Sequence, residues 1–320
     1  MSFAAALGRH YQKNQTPVFD VVNELPTVII PKGWKLSEKF TTDKEHVISV
    51  KTLLTSGDGN TKLKKNKRGF LSAHDEALDA IQIETVGLPL APHNLSGFNT
   101  CGSSTVACRK GCLDGCGRRN VWEPMHLYKI AKTVWLFSDP LWFLQRLDAE
   151  LKAKQRQIAK RDGFWKLAAR LNVFSDVRWE DYLYNVTHYS GYGIAKSNIF
   201  DANPDCMFYD YTKHNHRSGW IKPNYYLTFS RSDKNQKVAL RHLENGYNVA
   251  VVFASKRGKQ YTRVPKTWMG YECFNANESD LRFTDPVGRK RGKVAALDLR
   301  APTTKAYQEA LETGFAVLQA

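Results

Sequence analysis

The sequence has no apolar run long enough to cross a bilayer, and its first residues do not follow the order of a secretory signal. Arg9 and Lys13 follow the short apolar stretch at the start, where a signal peptide would place its basic residues first. We therefore expect a cytoplasmic protein with no part in a membrane. In the cytoplasm, clustered cysteines bind metals or take part in redox chemistry more often than they form disulfides.

Several common catalytic signatures are also missing. The chain contains no P-loop, no HExxH zinc motif, no Gly-x-Ser-x-Gly turn and no GxGxxG fingerprint. The sequence therefore gives no support for a P-loop nucleotide hydrolase, a zinc protease of the HExxH type, a serine hydrolase or a dinucleotide-binding protein. The sequence shows no internal repeat and predicts no oligomeric state.

Cysteine is scarce but concentrated. The 320 residues include six cysteines, and four of them lie within sixteen residues: Cys101, Cys108, Cys112 and Cys116. This run separates an apolar, strand-like stretch at 80–90 from a long helical stretch that begins near Val121. Proteins hold zinc or an iron–sulfur cluster with thiolates gathered in this way. We expect the cysteine loop, residues 101–116, to be the functional centre.

The chain is strongly basic, with a net charge of +16 from 47 Lys and Arg against 31 Asp and Glu. Such a charge favours an anionic partner, either a small molecule or a nucleic acid. The alternative is a basic surface that only faces solvent. The basic residues are densest at 62–68, 146–170 and 289–293.

From about residue 80 the sequence alternates strands with helices, which predicts an α/β fold on a parallel sheet with right-handed crossovers. Strands are predicted at 80–90, 167–173, 206–212, 225–230, 247–253, 270–274 and 294–299. Helices are predicted at 122–160 (with a break at 138–140), from Glu180, up to about Asn203, and at 233–244 and 303–313. We expect an irregular N-terminal extension (1–79) followed by a complete or partial (β/α) barrel (80–320). An open doubly wound parallel sheet is the alternative.

The carboxyl ends of barrel strands converge at one mouth, where the chemistry of such folds takes place. The polar residues predicted there are Asn172, Ser175 and Asp176 after the second strand, Asp210 and Lys213 at the third, and Ser230 and Arg231 at the fourth. Further candidates, near the sixth strand, are Asn277, Glu278, Asp280 and Arg282. Polar residues within apolar strands cost free energy unless they are paired, so their repeated occurrence at strand ends indicates a functional site. Ser175 and Asp176 could alternatively cap a helix that begins near Trp179.

Several motifs, taken in order, resemble a widespread, uncharacterised family of tailed-bacteriophage proteins. They lie at 90–101, 108–113, 170–180, 208–213, 226–235, 246–253 and 280–288, and the resemblance extends from about Lys51 to the end of the chain. The shared cysteine pattern is Cys-x6-Cys-x3-Cys, which comprises Cys101, Cys108 and Cys112. Cys116 lies outside that pattern, and Gly102 stands where relatives usually carry proline. The resemblance implies a phage-encoded protein that acts in the cytoplasm of the bacterial host.

A three-cysteine loop after the first strand of a (β/α) barrel is also similar to the radical S-adenosylmethionine enzymes. This similarity implies that Cys101, Cys108 and Cys112 hold a [4Fe–4S] cluster, with Cys116 as a candidate fourth ligand. It further implies that the strand-end residues bind S-adenosylmethionine or the substrate. The spacing departs from the usual Cys-x3-Cys-x2-Cys of those enzymes. An enzyme that modifies a nucleotide or a nucleic acid is therefore the first hypothesis, with its catalytic residues unassigned.

Two alternatives remain open. The first is a zinc-stabilised, basic nucleic-acid-binding protein without catalysis, in which Cys116, His93 or His126 completes the metal site. However, the run lacks the paired Cys-x2-Cys knuckles that usually hold zinc. The second is a metal-free barrel with free cysteines that binds a small anion. His214 and His216 could bind a metal or a phosphate, although a solvated loop explains them more simply.

Overall fold

The computed structural model describes residues 16–36, 40–56, 81–115, 123–187, 194–215, 217–255, 264–301 and 303–318. Within these ranges, no helix combines the length and the apolar character that a membrane crossing requires. The strands form one large sheet, one small N-terminal sheet and one isolated hairpin.

The small N-terminal sheet is antiparallel and contains β1 (Val18–Val22), β2 (Leu25–Ile30) and β3 (His46–Ser49). The two residues between β1 and β2, Asn23 and Glu24, both have positive φ angles, as tight two-residue hairpin turns require. Val28 and Ile30 of β2 are fully buried in the main core. The segment expected to be irregular thus contains regular strands, while its boundary at residue 79 remains a prediction.

The large sheet has eleven strands. Strands β7 (Tyr184–Thr187) and β8 (Ile194–Ser197) form the separate hairpin described below. The members of the large sheet are β4 (Thr55–Ser56), β5 (Ile81–Gly87), β6 (Phe164–Arg170), β9 (Cys206–Thr212), β10 (Gly219–Lys222), β11 (Tyr225–Ser230), β12 (Val249–Ala254), β13 (Thr267–Trp268), β14 (Tyr271–Asn275), β15 (Val294–Asp298) and β16 (Val317–Leu318). The order is β13-β14-β15-β12-β11-β9-β6-β5-β4, with β10 beside β11 and β16 beside β12.

Most neighbours in this sheet are parallel. Among its described strands, only β4, β10 and β13, each paired with the strand that follows it in the chain, run antiparallel to their partners. The predicted α/β chain on a mostly parallel sheet is therefore confirmed. The described strands show no pairing that closes the sheet into a barrel.

Five helices are described: α1 (Val106–Lys110), α2 (Glu123–Ser138), α3 (Pro140–Ile158), α4 (Gln236–Glu244) and α5 (Thr304–Glu312). The predicted break between α2 and α3 is confirmed at Asp139. Its side chain accepts a hydrogen bond from the Trp142 backbone N–H, and Pro140 occupies the first helical position. The apolar stripes of both helices pack in the main core, which lies between these helices, the N-terminal sheet and one face of the large sheet.

The helices predicted from Glu180 and up to Asn203 are wrong for the described residues. Trp179–Asp181 forms a single 3-10 turn, and an antiparallel hairpin follows, made of β7 (Tyr184–Thr187) and β8 (Ile194–Ser197). Aromatic packing explains the difference, because Trp179 is fully buried and stacks on Phe143. The short strand β10, for which no prediction was made, lies between β9 and β11.

The second face of the large sheet carries alanines together with aromatic side chains. Ala250 and Ala295 pack there with Ala276, while Ala168 and Tyr209 pack with Leu281. Successive residues of a strand point to opposite faces, so Ala169 on β6 and Phe208 on β9 lie in the main core instead. The segment that follows β14 thus covers part of this second face.

Candidate functional site

The cysteine loop follows β5 and continues into α1. The Thr105 hydroxyl caps α1 by accepting the backbone N–H of Cys108 at 3.1 Å. Cys112 lies two residues after the last residue of α1 and four after Cys108, so the two are about one helical turn apart. Cys101 precedes the helix, and its sulfur accepts the His93 backbone N–H at 3.4 Å.

Hydrogen bonds fasten this loop to the ends of three neighbouring strands. After β6, the Asp176 backbone N–H donates to the Thr100 carbonyl at 2.8 Å. After β9, His214 Nδ1 lies 3.1 Å from Ser103 Oγ. After β11, the Thr105 hydroxyl donates to Asp233 at 2.6 Å. The loop therefore sits across the carboxyl edge of the parallel strands.

The three thiols are close enough for their charges to interact. Burial, and to a smaller extent the charges of Asp114, Cys108 and Cys101, raises the pKa of Cys112 to about 12. Burial also raises the pKa of Cys101, whose thiol lies 3.6 Å from the Phe174 carbonyl. None of the described cysteines forms a disulfide. A metal that binds here must displace protons, as thiolate sites require.

The spacing of these thiols can be compared with what a single metal ion requires. Four sulfurs around one zinc ion, at bond lengths of about 2.3 Å, lie roughly 3.8 Å from one another. Among the described residues, no group of three that includes Cys101, Cys108 or Cys112 brings its ligand atoms within 4.8 Å of one another. An iron–sulfur cluster binds each thiolate to a different iron, so it accepts sulfurs that are farther apart. As they are placed, the three thiols therefore form no closed site for a single ion.

A buried ion pair lies next to Cys112, and no sequence pattern indicated it. The Lys129 ammonium donates to the Asp114 carboxylate, and both side chains are at least 95% buried. Lys129 also lies 5.2 Å above the centre of the Phe174 ring. His126, considered above as a zinc ligand, lies with its Nδ1 4.0 Å from Asp114. A lysine on a helix is usually solvated, so its burial with Asp114 cannot be predicted from the sequence pattern.

Three of the predicted strand-end residues form a buried network that shapes their own loops. Asn172 Oδ1 accepts hydrogen bonds from Ser175 Oγ at 2.8 Å and from Trp179 Nε1 at 3.2 Å. Asp210 accepts the Asn172 backbone N–H at 2.7 Å, and burial raises the pKa of this carboxyl to about 8. The alternative capping role of Ser175 is not realised, since the 3-10 turn has no side-chain cap.

A polar strip beside the cysteine loop comprises three further predicted residues, Asp176, Lys213 and Ser230, together with His214. Asp176 accepts the Lys213 backbone N–H at 2.8 Å, and the Lys213 ammonium donates to Ser230 Oγ at 3.1 Å. His214 Nε2 lies 3.1 Å from the Asp176 carbonyl oxygen. Arg231 is used elsewhere, because its guanidinium donates to the carbonyl oxygens of Gly314 and Phe315.

The candidates near the sixth strand form a separate cluster. Asp280 binds the guanidinium of Arg170 and accepts the Tyr211 hydroxyl at 3.1 Å. Arg282 is 1% exposed and pairs with Asp285. Asn277 accepts the Asp298 backbone N–H, and Glu278 accepts the side-chain amide of Asn275. These groups connect the segment after β14 to neighbouring strands. Residues 62–68, Cys116 and His216 lie outside the described residues.

Comparison with known proteins provides one assignment. No curated protein and no solved structure matches the chain. The profile of the family described as Gene product 88 matches residues 52–310, which is most of the chain and includes the whole candidate site. This match agrees with the phage-type family expected from the ordered motifs. The chain belongs to the Gene product 88 family.

Proposed function

We propose that this protein is an iron–sulfur enzyme of the radical S-adenosylmethionine type, with Cys101, Cys108 and Cys112 as the cluster ligands. The observation that carries the proposal is the placement of three mutually interacting thiols, outside any disulfide, on one loop at the carboxyl edge of a parallel sheet. Their spacing is wider than that around a single zinc ion. This favours a cluster over the zinc-stabilised alternative.

The strand order supports a partial barrel. Strands β5, β6, β9, β11 and β12 are neighbours in the order in which they occur in the chain, whereas β15 is inserted between β12 and β14 and breaks that order. Within the run of five strands, the order does not reverse as it does at the switch point of a doubly wound sheet. Sequential parallel strands bring their carboxyl ends to one edge, which is where barrel enzymes bind their substrates.

The neighbouring polar strip suits an amino acid-like cofactor. When bound, a reduced cluster of this type supplies one electron for the cleavage of S-adenosylmethionine into methionine and a carbon radical. Lys213 would pair with the carboxylate of S-adenosylmethionine, and Asp176 with its amino group. Asn172, Ser175 and Asp210 hold the loop that carries Asp176, so they act as positioning residues.

Charge supports a nucleotide or a nucleic acid as the substrate. The net charge of +16 attracts polyanions. Among the described residues, Arg289, Lys290 and Arg291 form an exposed basic stretch. Phosphate groups are bound by such stretches without sequence specificity. The proposed reaction is therefore the radical modification of a nucleotide or of a nucleic acid.

Anaerobic purification followed by iron, sulfide and zinc analysis tests this proposal. We expect a visible spectrum typical of a cysteine-bound cluster, about four irons per chain, and no zinc bound by the thiols, so that Cys112→Ala leaves any zinc content unchanged. Cys112→Ala should lose the iron and the colour. Cys206→Ala should keep both, because Cys206 is a buried core residue of β9. The absence of iron and of colour, whatever the zinc content, would refute the proposal, as would iron retained by Cys112→Ala.

A further inference from the structure

A second group of ligand-type side chains lies where the N-terminal sheet meets the start of α2. Asp43, His46 and Glu123 bring one nitrogen and two carboxylate oxygens within 4.8 Å of one another. It is the one such group among the described residues. His46 is the first residue of β3, and Glu123 is the first residue of α2. The group thus joins two elements that are far apart in the sequence.

The His46 imidazole is the central member of this group. Its Nε2 atom lies 3.4 Å from Glu123 Oε1 and 3.9 Å from Asp43 Oδ1. This nitrogen is shielded from solvent, yet it has no hydrogen-bond partner. A buried nitrogen without a partner is costly, so its placement against two carboxylates needs a reason.

The distance between His46 and Glu123 fits two ligands of a shared metal ion. Nitrogen and oxygen ligands bind zinc at about 2.0–2.2 Å, so two such ligands at a tetrahedral angle lie roughly 3.4 Å apart. In that geometry the lone pair of His46 Nε2 points to the ion and not to Glu123 Oε1. This explains why the two atoms lie 3.4 Å apart without forming a hydrogen bond.

We propose that Asp43, His46 and Glu123 bind a divalent transition-metal ion, with zinc preferred. One imidazole and two carboxylates give a neutral site around a 2+ ion, with a fourth position left for water. The ion fastens the N-terminal sheet to the helix that follows the cysteine loop. The proposal is independent of the iron–sulfur function, because it uses none of the thiols.

Titration of the full-length chain with Zn²⁺, followed by calorimetry, tests the proposal. The wild type should bind one more equivalent than His46→Ala or Glu123→Gln, or bind that equivalent at least tenfold more tightly. Glu45→Gln is the matched control, since Glu45 is an exposed acid of the same loop, and it should bind like the wild type. The thiols are unchanged in every variant, so any zinc they bind cancels in the comparison. Glu123→Gln preserves the side-chain shape and serves as the test if His46→Ala does not fold.

Two results would overturn the proposal. One is identical zinc stoichiometry and affinity in the wild type, His46→Ala and Glu123→Gln. The other is an equal loss in Glu45→Gln, which would indicate nonspecific attraction by surface acids. Mn²⁺ provides a second probe, because it prefers carboxylate and imidazole to thiolate ligands. Its electron paramagnetic signal should shrink on binding to the wild type and not on addition to Glu123→Gln.

Discussion

Replacing Asp210 with asparagine should change how the stability of the protein depends on pH. Asp210 lies in β9 and is fully buried, and burial raises the pKa of its carboxyl to about 8 despite the opposing charge of Arg170. In the unfolded chain the same carboxyl has its ordinary pKa near 3.8. Between these two values the folded protein holds one proton more than the unfolded chain does.

The sign of the effect follows from proton linkage. When the folded state binds the extra proton, the free energy of unfolding falls as pH rises, by about 1.4 kcal/mol per pH unit at 25 °C. This contribution is fully present below pH 3.8 and is lost as pH rises to about 8. From pH 5 to pH 7, Asp210 should remove roughly 3 kcal/mol from the stability of the wild type. The asparagine of the variant has the same size and can accept the Asn172 backbone N–H, but it does not titrate.

Urea unfolding at pH 5, 6 and 7 measures this difference. Relative to the wild type, Asp210→Asn should gain about 3 kcal/mol between pH 5 and pH 7, because other titrating groups are common to both proteins. Asp205→Asn is the control, since Asp205 is exposed, and its stability curve should run parallel to that of the wild type. Parallel curves for Asp210→Asn would mean that Asp210 is ionised in the folded protein, and the reasoning from burial would then be wrong.

Two further variants test how the cysteine loop is held. Thr105→Val removes both the cap on the Cys108 backbone N–H and the bond to Asp233, and should cost about 1–2 kcal/mol in urea unfolding, whereas Thr105→Ser should be nearly neutral. Lys129→Met leaves the buried Asp114 carboxylate without its ion-pair partner and should cost about 3–5 kcal/mol, and adding Asp114→Asn should recover most of that loss. A cost below about 1 kcal/mol for Lys129→Met would show that the pair does not matter for stability.

The strands of the parallel sheet and the helices α2, α3 and α4 could be predicted, whereas the connection between β6 and β9 could not. Strands β9 and β11 have the bounds that their aromatic, apolar runs predicted. The connection after β6 was expected to be helical. Instead, Ile199 and Phe200 are fully buried in the main core, and Phe200 stacks on Tyr225. Such long-range packing overrides local propensity and cannot be read from a window of sequence.

The sequence predicted which residues lie at the candidate site, but it did not predict the contacts that their side chains make. Strand ends placed Asp176, Lys213 and Ser230 together, because parallel strands share an edge. Arg231 occupies an equivalent position but binds the carbonyl oxygens of Gly314 and Phe315, more than 80 residues along the chain. The identity of a partner so distant in sequence depends on side-chain direction, which no sequence pattern specifies.

The unusual cysteine spacing does not argue against a preformed ligand loop. Hydrogen bonds at Thr100, Ser103 and Thr105 anchor the loop to three strand ends, on both sides of Cys101 and just before α1. The sulfur positions therefore depend on these anchors and not on the number of intervening residues. In small zinc domains the metal itself drives folding, and removing it unfolds the chain. Here the anchors are side-chain and backbone bonds within a packed sheet, so the loop should keep its conformation without metal, and binding should cost little in chain ordering.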